Sequence, residues 1–211
     1  MSGASFVTKR SWSEPEQEFR ASFGIWVFLA TELLFFGALF LAYAELRSQN
    51  YVAFAEAGKH ASFFYGTLNT FILMTSSLAI AIAVGAQERA DIRLVRWALA
   101  ATLVFGLGFL IVKGLEYHED IEEHLIPGAG FPSRMPAAQM FFALYWVMTG
   151  LHAIHLTVGL GVVGRVWRIA RRSELPENFH RTLEVSALYW HLIDVFWVML
   201  YPIFYLVGRS T

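Results

Sequence analysis

The chain has 211 residues, and its 16 Lys and Arg nearly balance 17 Asp and Glu, so a formal charge of −1 offers no basic surface for a nucleic-acid partner. Hydrophobic residues make up 56% and charged residues 16%, with 7 Trp, 8 Tyr and 19 Phe, a balance that belongs to a membrane protein rather than to a soluble domain. Cysteine is absent, which excludes disulfide frameworks, thiolate metal sites, iron–sulfur clusters and cysteine nucleophiles; any metal would need His and carboxylate ligands.

Residues 1–22 are polar, with Trp12, Pro15 and several Glu, and show no apolar core followed by a small-residue cleavage pattern. They are expected as an uncleaved polar segment on the cytoplasmic side. A spanning helix needs about 20 mostly apolar residues. Such stretches lie near 23–44, 66–86, 94–115, 138–164 and 185–208, which predicts an all-α fold, one integral membrane bundle of five transmembrane helices over 23–208. An odd number of crossings puts the termini on opposite sides. Lys and Arg gather in the N-terminal segment, the 87–95 turn with Arg96, and the 165–183 loop, so the N-terminus is expected to be cytoplasmic and the C-terminus periplasmic. The loop from Lys113 to Ala137, with Glu116, Glu119, Asp120, Glu122 and Glu123 followed by a Pro- and Gly-rich stretch, becomes an acidic outer loop.

Charged groups near mid-bilayer cost on the order of 2.5–3.5 kcal/mol on insertion scales, so each needs a partner or a proton. Glu32 in the first span lies nine residues after Phe23, about 13 Å along the axis, near the membrane centre. It reads either as a neutral carboxyl bonded to a neighbouring helix or as a proton-handling or lipid-access group. In the fourth span His152 and His155 are three apart and share a face. Gly150, Ala153, Thr157, Gly161 and Gly164 form a small-residue stripe roughly opposite, suited to close helix approach. Interhelical hydrogen bonding is the expected role of the histidines, ahead of metal or haem ligation. In the fifth span His191 and Asp194 have the same spacing and are expected to pair. Glu116 and Glu119, flanking Tyr117 and His118, read as a solvated or interfacial helix end.

A di-metal carboxylate site would need Glu and Glu-x-x-His ligands at one level. This chain offers Glu-x-x-Glu near an end and His-x-x-His and His-x-x-Asp near mid-span. A haem held by His152 and His191 remains geometrically open. No phosphate-binding loop, nucleophile elbow or dinucleotide fingerprint occurs in a suitable context. Trp167, Arg168, Arg171 and Arg172 read as an interfacial anchor able to touch lipid headgroups.

Five stretches match one family in order. Ala30-Thr-Glu-Leu-Leu-Phe-Phe-Gly37, Leu68-Asn-Thr-Phe-Ile-Leu73, Lys113-Gly-Leu-Glu-Tyr-His-Glu119, Thr149-Gly-Leu-His-Ala-Ile-His155 and Tyr189-Trp-His-Leu-Ile-Asp-Val-Phe-Trp197 resemble subunit III of the haem-copper terminal oxidases over residues 22–208. The resemblance implies a chain without haem or copper of its own. Those cofactors belong to partner subunits I and II, and cytochrome c is an indirect partner. It implies support of turnover and proton uptake by the O2-reducing, proton-pumping subunit I, and bound membrane phospholipid. Glu32 matches the family's carbodiimide-reactive carboxyl. Glu116, Tyr117, Glu119, His152, His155, Trp190, His191 and Asp194 match its interhelical polar and lipid-pocket residues; no catalytic or metal-binding residue is implied. The five-span form resembles subunits of a bacterial inner membrane. Among these, the Glu-Tyr-His-Glu to Pro-Gly loop favours a cytochrome c oxidase over a quinol oxidase or a nitric oxide reductase accessory protein. A free-standing metal or haem enzyme of the membrane is the competing class.

Overall fold

The computed structural model describes residues 14–128, 131 and 136–206, with side chains from Phe23 onward; residues 1–13, most of the Pro- and Gly-rich stretch, and 207–211 lie outside the described residues. The elements are α1 (Glu14–Gln49), α2 (Tyr51–Gly58), α3 (Phe63–Glu88), α4 (Ile92–Glu122), α5 (Pro136–Ala170) and α6 (Phe179–Tyr201), followed by a π-helical turn, Pro202–Leu206. Five of these helices are long and apolar enough to cross a membrane. A helix answers every backbone N–H and C=O from within the segment, which is what hydrocarbon surroundings demand. The spanning helices exceed the apolar windows because their ends run on into polar sequence such as Glu116–Glu122.

Local chemistry fixes the ends. Asp91 opens α4 by accepting hydrogen bonds from the backbone N–H of Arg93 and Leu94, each 3.1 Å. Beside it Arg96 donates Nε–H to the last carbonyl of α5, Ala170 O, at 2.7 Å, and so ties the start of one helix to the end of another. Pro202 lacks the N–H that would continue α6, and the chain widens there into the π turn. That turn buries Phe204 and Tyr205 completely. The short helix α2 is absent from the hydropathy reading. Its Phe54 and Ala57 are buried, and Phe54 meets Phe141 of α5 edge-on at 5.5 Å.

α3 to α6 form the packed body. Trp190 of α6 sits against Gly106 and Gly159, where an added Cβ would lie 2.7 Å and 3.2 Å from its ring. Gly66 meets the Tyr205 ring more closely still, at 2.5 Å. The expected small-residue stripe on α5 is not where close approach occurs: Thr157 and Gly161 are exposed, and nothing lies within 4 Å of a Cβ built at Gly161. Gly159, one position off the stripe, faces the bulky indole instead. α1 lies at the margin. Among its described side chains Phe36 and Tyr43 alone are fully buried. Phe36 stacks on Phe196 at 4.1 Å, and the Tyr43 hydroxyl donates to Ile203 O in the π turn at 2.8 Å.

Candidate functional site

Polar side chains collect at three levels of this bundle. At the level of Phe36, Nε2 of His155 lies 2.9 Å from Oε2 of Glu32, at ion-pair distance though out of line for a hydrogen bond. The two are partly covered, with side-chain exposures of 21% and 17%. Nδ1 of His155 is 2.8 Å from Leu151 O, a carbonyl that can only accept, so Nδ1 carries a hydrogen. α5 thus supplies Glu32 with the partner that its depth requires, and Phe36 packs edge-on against the imidazole at 5.4 Å.

His152 behaves differently although it is one turn away. It is 1% exposed and both ring nitrogens lack a hydrogen-bond partner among the described residues. The expected interhelical hydrogen bond is not made. Three residues rotate the side chain about 60° from His155, away from α1 and into the rings of Phe109 and Trp197, at 5.4 and 5.1 Å. The expected couple of His191 and Asp194 is also redirected. Nδ1 of His191 is 2.7 Å from the Ser77 hydroxyl of α3. Asp194, 4% exposed, has no hydrogen-bond partner for either oxygen among the described residues. Trp190 donates its indole N–H to Ser76 Oγ at 3.1 Å, and Ser76 in turn reaches Thr102 O at 3.3 Å, so α6, α3 and α4 are joined through one hydroxyl.

The third level, at the end of α4, is a buried charged cluster. Glu116 is 1% exposed and therefore is not the solvated helix end expected of it; that description fits Glu119, which is exposed and accepts from the Tyr65 hydroxyl at 2.5 Å. Lys113 Nζ, also inside, lies 2.9 Å from Glu116 Oε2 and donates to the hydroxyls of Tyr145 and Tyr205 at 2.8 and 2.9 Å. Tyr205 donates to Glu116 Oε1 at 2.7 Å, and the Tyr145 hydroxyl stands 2.9 Å from Glu116 Oε1 and 3.0 Å from Asp120 Oδ2. The ammonium also sits over the ring of Tyr145 at 4.5 Å and that of Tyr117 at 4.7 Å. Tyr117 bonds Thr149 at 2.7 Å and stacks on Trp146 at 4.3 Å. The acidic outer loop expected from Lys113 onward begins instead as the last turns of α4, with Lys113 and Asp120 buried because the helix turns them inward, and sequence reasoning gave Tyr145 and Tyr205 no part in it. The steps of three and four from Phe109 through Lys113 and Glu116 to Asp120 continue the inward face of α4, and that periodicity is the signal that could have found Lys113 and Asp120.

Clefts open around these levels among the described residues. An apolar one of about 360 Å³ lies between α1, α5 and α6 and is lined by Gly24, Phe28, Val158, Val162 and Tyr189. At the same end, one of about 510 Å³ is lined by Arg165, Arg168, Arg172, Asn178 and Thr182. At the opposite end, one of about 470 Å³ reaches Glu116 and Asp120 from between Lys59, His60, Glu119 and Glu123. No three His, Asp or Glu side chains among the described residues converge as a metal site, and His152 and His191 are held by different neighbours.

The model of the family described as cytochrome c oxidase subunit III matches residues 17–209. Cytochrome c oxidase subunit 3 of Thermostichus vulcanus is 32% identical over 190 residues, 88% of this chain and 87% of that one. The cytochrome bo(3) ubiquinol oxidase subunit 3 of Buchnera aphidicola is 26% identical, over 90% and 88% of the two chains. A fused haem-copper oxidase subunit I+III of Aeropyrum pernix is 29% identical over 93% of this chain and 23% of its own length. The match covers the glutamate–histidine pair, the charged cluster and the arginine-lined end together: the chain belongs to the cytochrome c oxidase subunit III family.

Proposed function

We propose that the chain serves an oxidase that takes electrons from cytochrome c, reduces O2 to water and pumps protons across a bacterial inner membrane. Its part is to stabilise subunit I and support proton uptake there, beside subunit II. The observation carrying the choice of donor is the relative named cytochrome c oxidase subunit 3, matched over nearly the whole of both chains. Relatives named for ubiquinol and quinol oxidases favour quinol as the second reading. The arginine-rich end, where α3 and α5 finish and α4 and α6 begin, is the cytoplasmic one by the positive-inside rule, which puts the N-terminus there and the C-terminus on the periplasmic side. The apolar cleft beside the arginine-lined cleft suits a phospholipid, acyl chain in the first and phosphate at Arg165, Arg168 and Arg172. Glu32, half-sheltered beside His155, is the carbodiimide-reactive carboxyl.

Purification in mild detergent through a tag on this chain tests the reading. We expect a partner that carries copper with low-spin and high-spin haem, and O2 consumption with reduced cytochrome c. Turnover with quinol and not with cytochrome c replaces the donor. A partner that reduces nitric oxide and not O2, or an isolated chain that shows a haem absorption band, overturns the reading.

A further inference from the structure

Six short polar contacts hold the cluster at the end of α4, and each needs one hydrogen between its two heavy atoms. Lys113 Nζ makes three, to Glu116 Oε2 and to the hydroxyls of Tyr145 and Tyr205. Tyr205 makes one to Glu116 Oε1, and Tyr145 makes two, to Glu116 Oε1 and Asp120 Oδ2. The ammonium supplies three hydrogens and each phenol one, which is one fewer than the contacts require. If Tyr145 gives its hydrogen to Glu116, its oxygen meets Asp120 Oδ2 at 3.0 Å with lone pairs on both sides. If it gives it to Asp120, the same conflict arises with Glu116 at 2.9 Å. One added proton removes the conflict, because Tyr145 then accepts from one carboxyl and donates to the other.

Charge points the same way. One ammonium faces two carboxyl groups among side chains that are 2%, 1% and 6% exposed. An uncompensated charge there is costly, and a single proton brings the three to neutrality.

We infer that Glu116 and Asp120, joined through the Tyr145 hydroxyl, form a binding site for one proton that exchanges with water through the cleft at the acidic end of the bundle. On binding, one O–H bond forms on a carboxyl oxygen and no other bond breaks; the proton comes from the aqueous phase. The ionisable groups around the pair and its cleft are Lys113, Tyr117 and Glu119 on α4, Glu123 just after it, Lys59 and His60 before α3, Tyr145 on α5 and Tyr205 in the π turn. Glu119 is engaged by Tyr65, and Glu119, Glu123, Lys59 and His60 line the approach rather than the buried pair.

Infrared difference spectra of the intact complex test this. We expect a protonated-carboxyl C=O band that shifts in D2O and fades as pH rises. It should be missing from both D120N and E116Q, since the proton belongs to the pair, and kept in E119Q. A parent without such a band, a band untouched by either substitution, or a band lost in one of them only overturns the proposal. Should D120N or E116Q fail to assemble, Y145F keeps both carboxyls and removes the bridging hydroxyl: a moved band supports the shared site and an unmoved one overturns it. D120N also offers an amide hydrogen in place of the proton. It should therefore lose less thermal stability than the parent on going to alkaline pH, and a parallel loss would count against the proposal.

Discussion

Glu116 and Glu32 are both carboxyls inside membrane-crossing helices, yet they are housed in opposite ways. Glu116 is 1% exposed and surrounded by an ammonium and two phenols drawn from α4, α5 and the π turn. Glu32 is 17% exposed and has one imidazole, from α5. The first is a joint on which several segments converge; the second is a pairwise contact, one of a few ties between a marginal helix and the packed body. A buried charge tolerates loss of a partner badly when that partner is itself charged and water cannot enter. A partly covered group such as Glu32 keeps the option of solvation. The difference teaches that depth in the membrane ranks these residues less well than the number of helices that meet at each.

The largest expected effect is therefore at Lys113. K113M strands Glu116 and should cost about 3–5 kcal/mol, read as a lowered unfolding temperature or loss of the subunit from the complex. G66A comes next: its Cβ would lie 2.5 Å from the Tyr205 ring, and displacing that ring from the same joint should cost about 1–3 kcal/mol in the same assay. H155A removes the tie to Glu32 and should cost about 1–3 kcal/mol, with proteolysis in detergent cutting the ends of α1 before the rest of the bundle. If H155A proved as damaging as K113M, the contrast between joint and tie would fail. E32Q should leave assembly intact while abolishing carbodiimide labelling, and persistent labelling would move that reactivity elsewhere. E119Q, at an exposed carboxyl, should stay within about 0.5 kcal/mol of the parent.

The five spans were legible because each is a run of apolar residues free of paired charge, and hydrocarbon surroundings leave the chain one answer to such a run. Glu32 was legible as a residue in need of a partner, since depth alone demands one. The identity of that partner was not, because spacing on α5 gives His152 and His155 equal standing. Only the packing of α1 and α6 around them sends His155 to Glu32 and His152 into aromatic rings. The motif residues at the end of α4 stood out, but charge density there suggested water. The reach of Tyr145 and Tyr205 from distant parts of the chain is what makes the place an interior, and no local pattern announces it. α2 escaped notice because eight residues are too few to show a hydropathy signal, whereas the burial of Phe54 against α5 depends on tertiary contact.

The marginal position of α1 bears on how the subunit is made. α1 leaves the ribosome before the other helices, while the imidazole that answers Glu32 belongs to α5 and the ring that stacks on Phe36 belongs to α6. Until α5 and α6 follow, the carboxyl of Glu32 and the ring of Phe36 lack the partners they have in the finished bundle, and the docking of α1 becomes one of the late events of biogenesis.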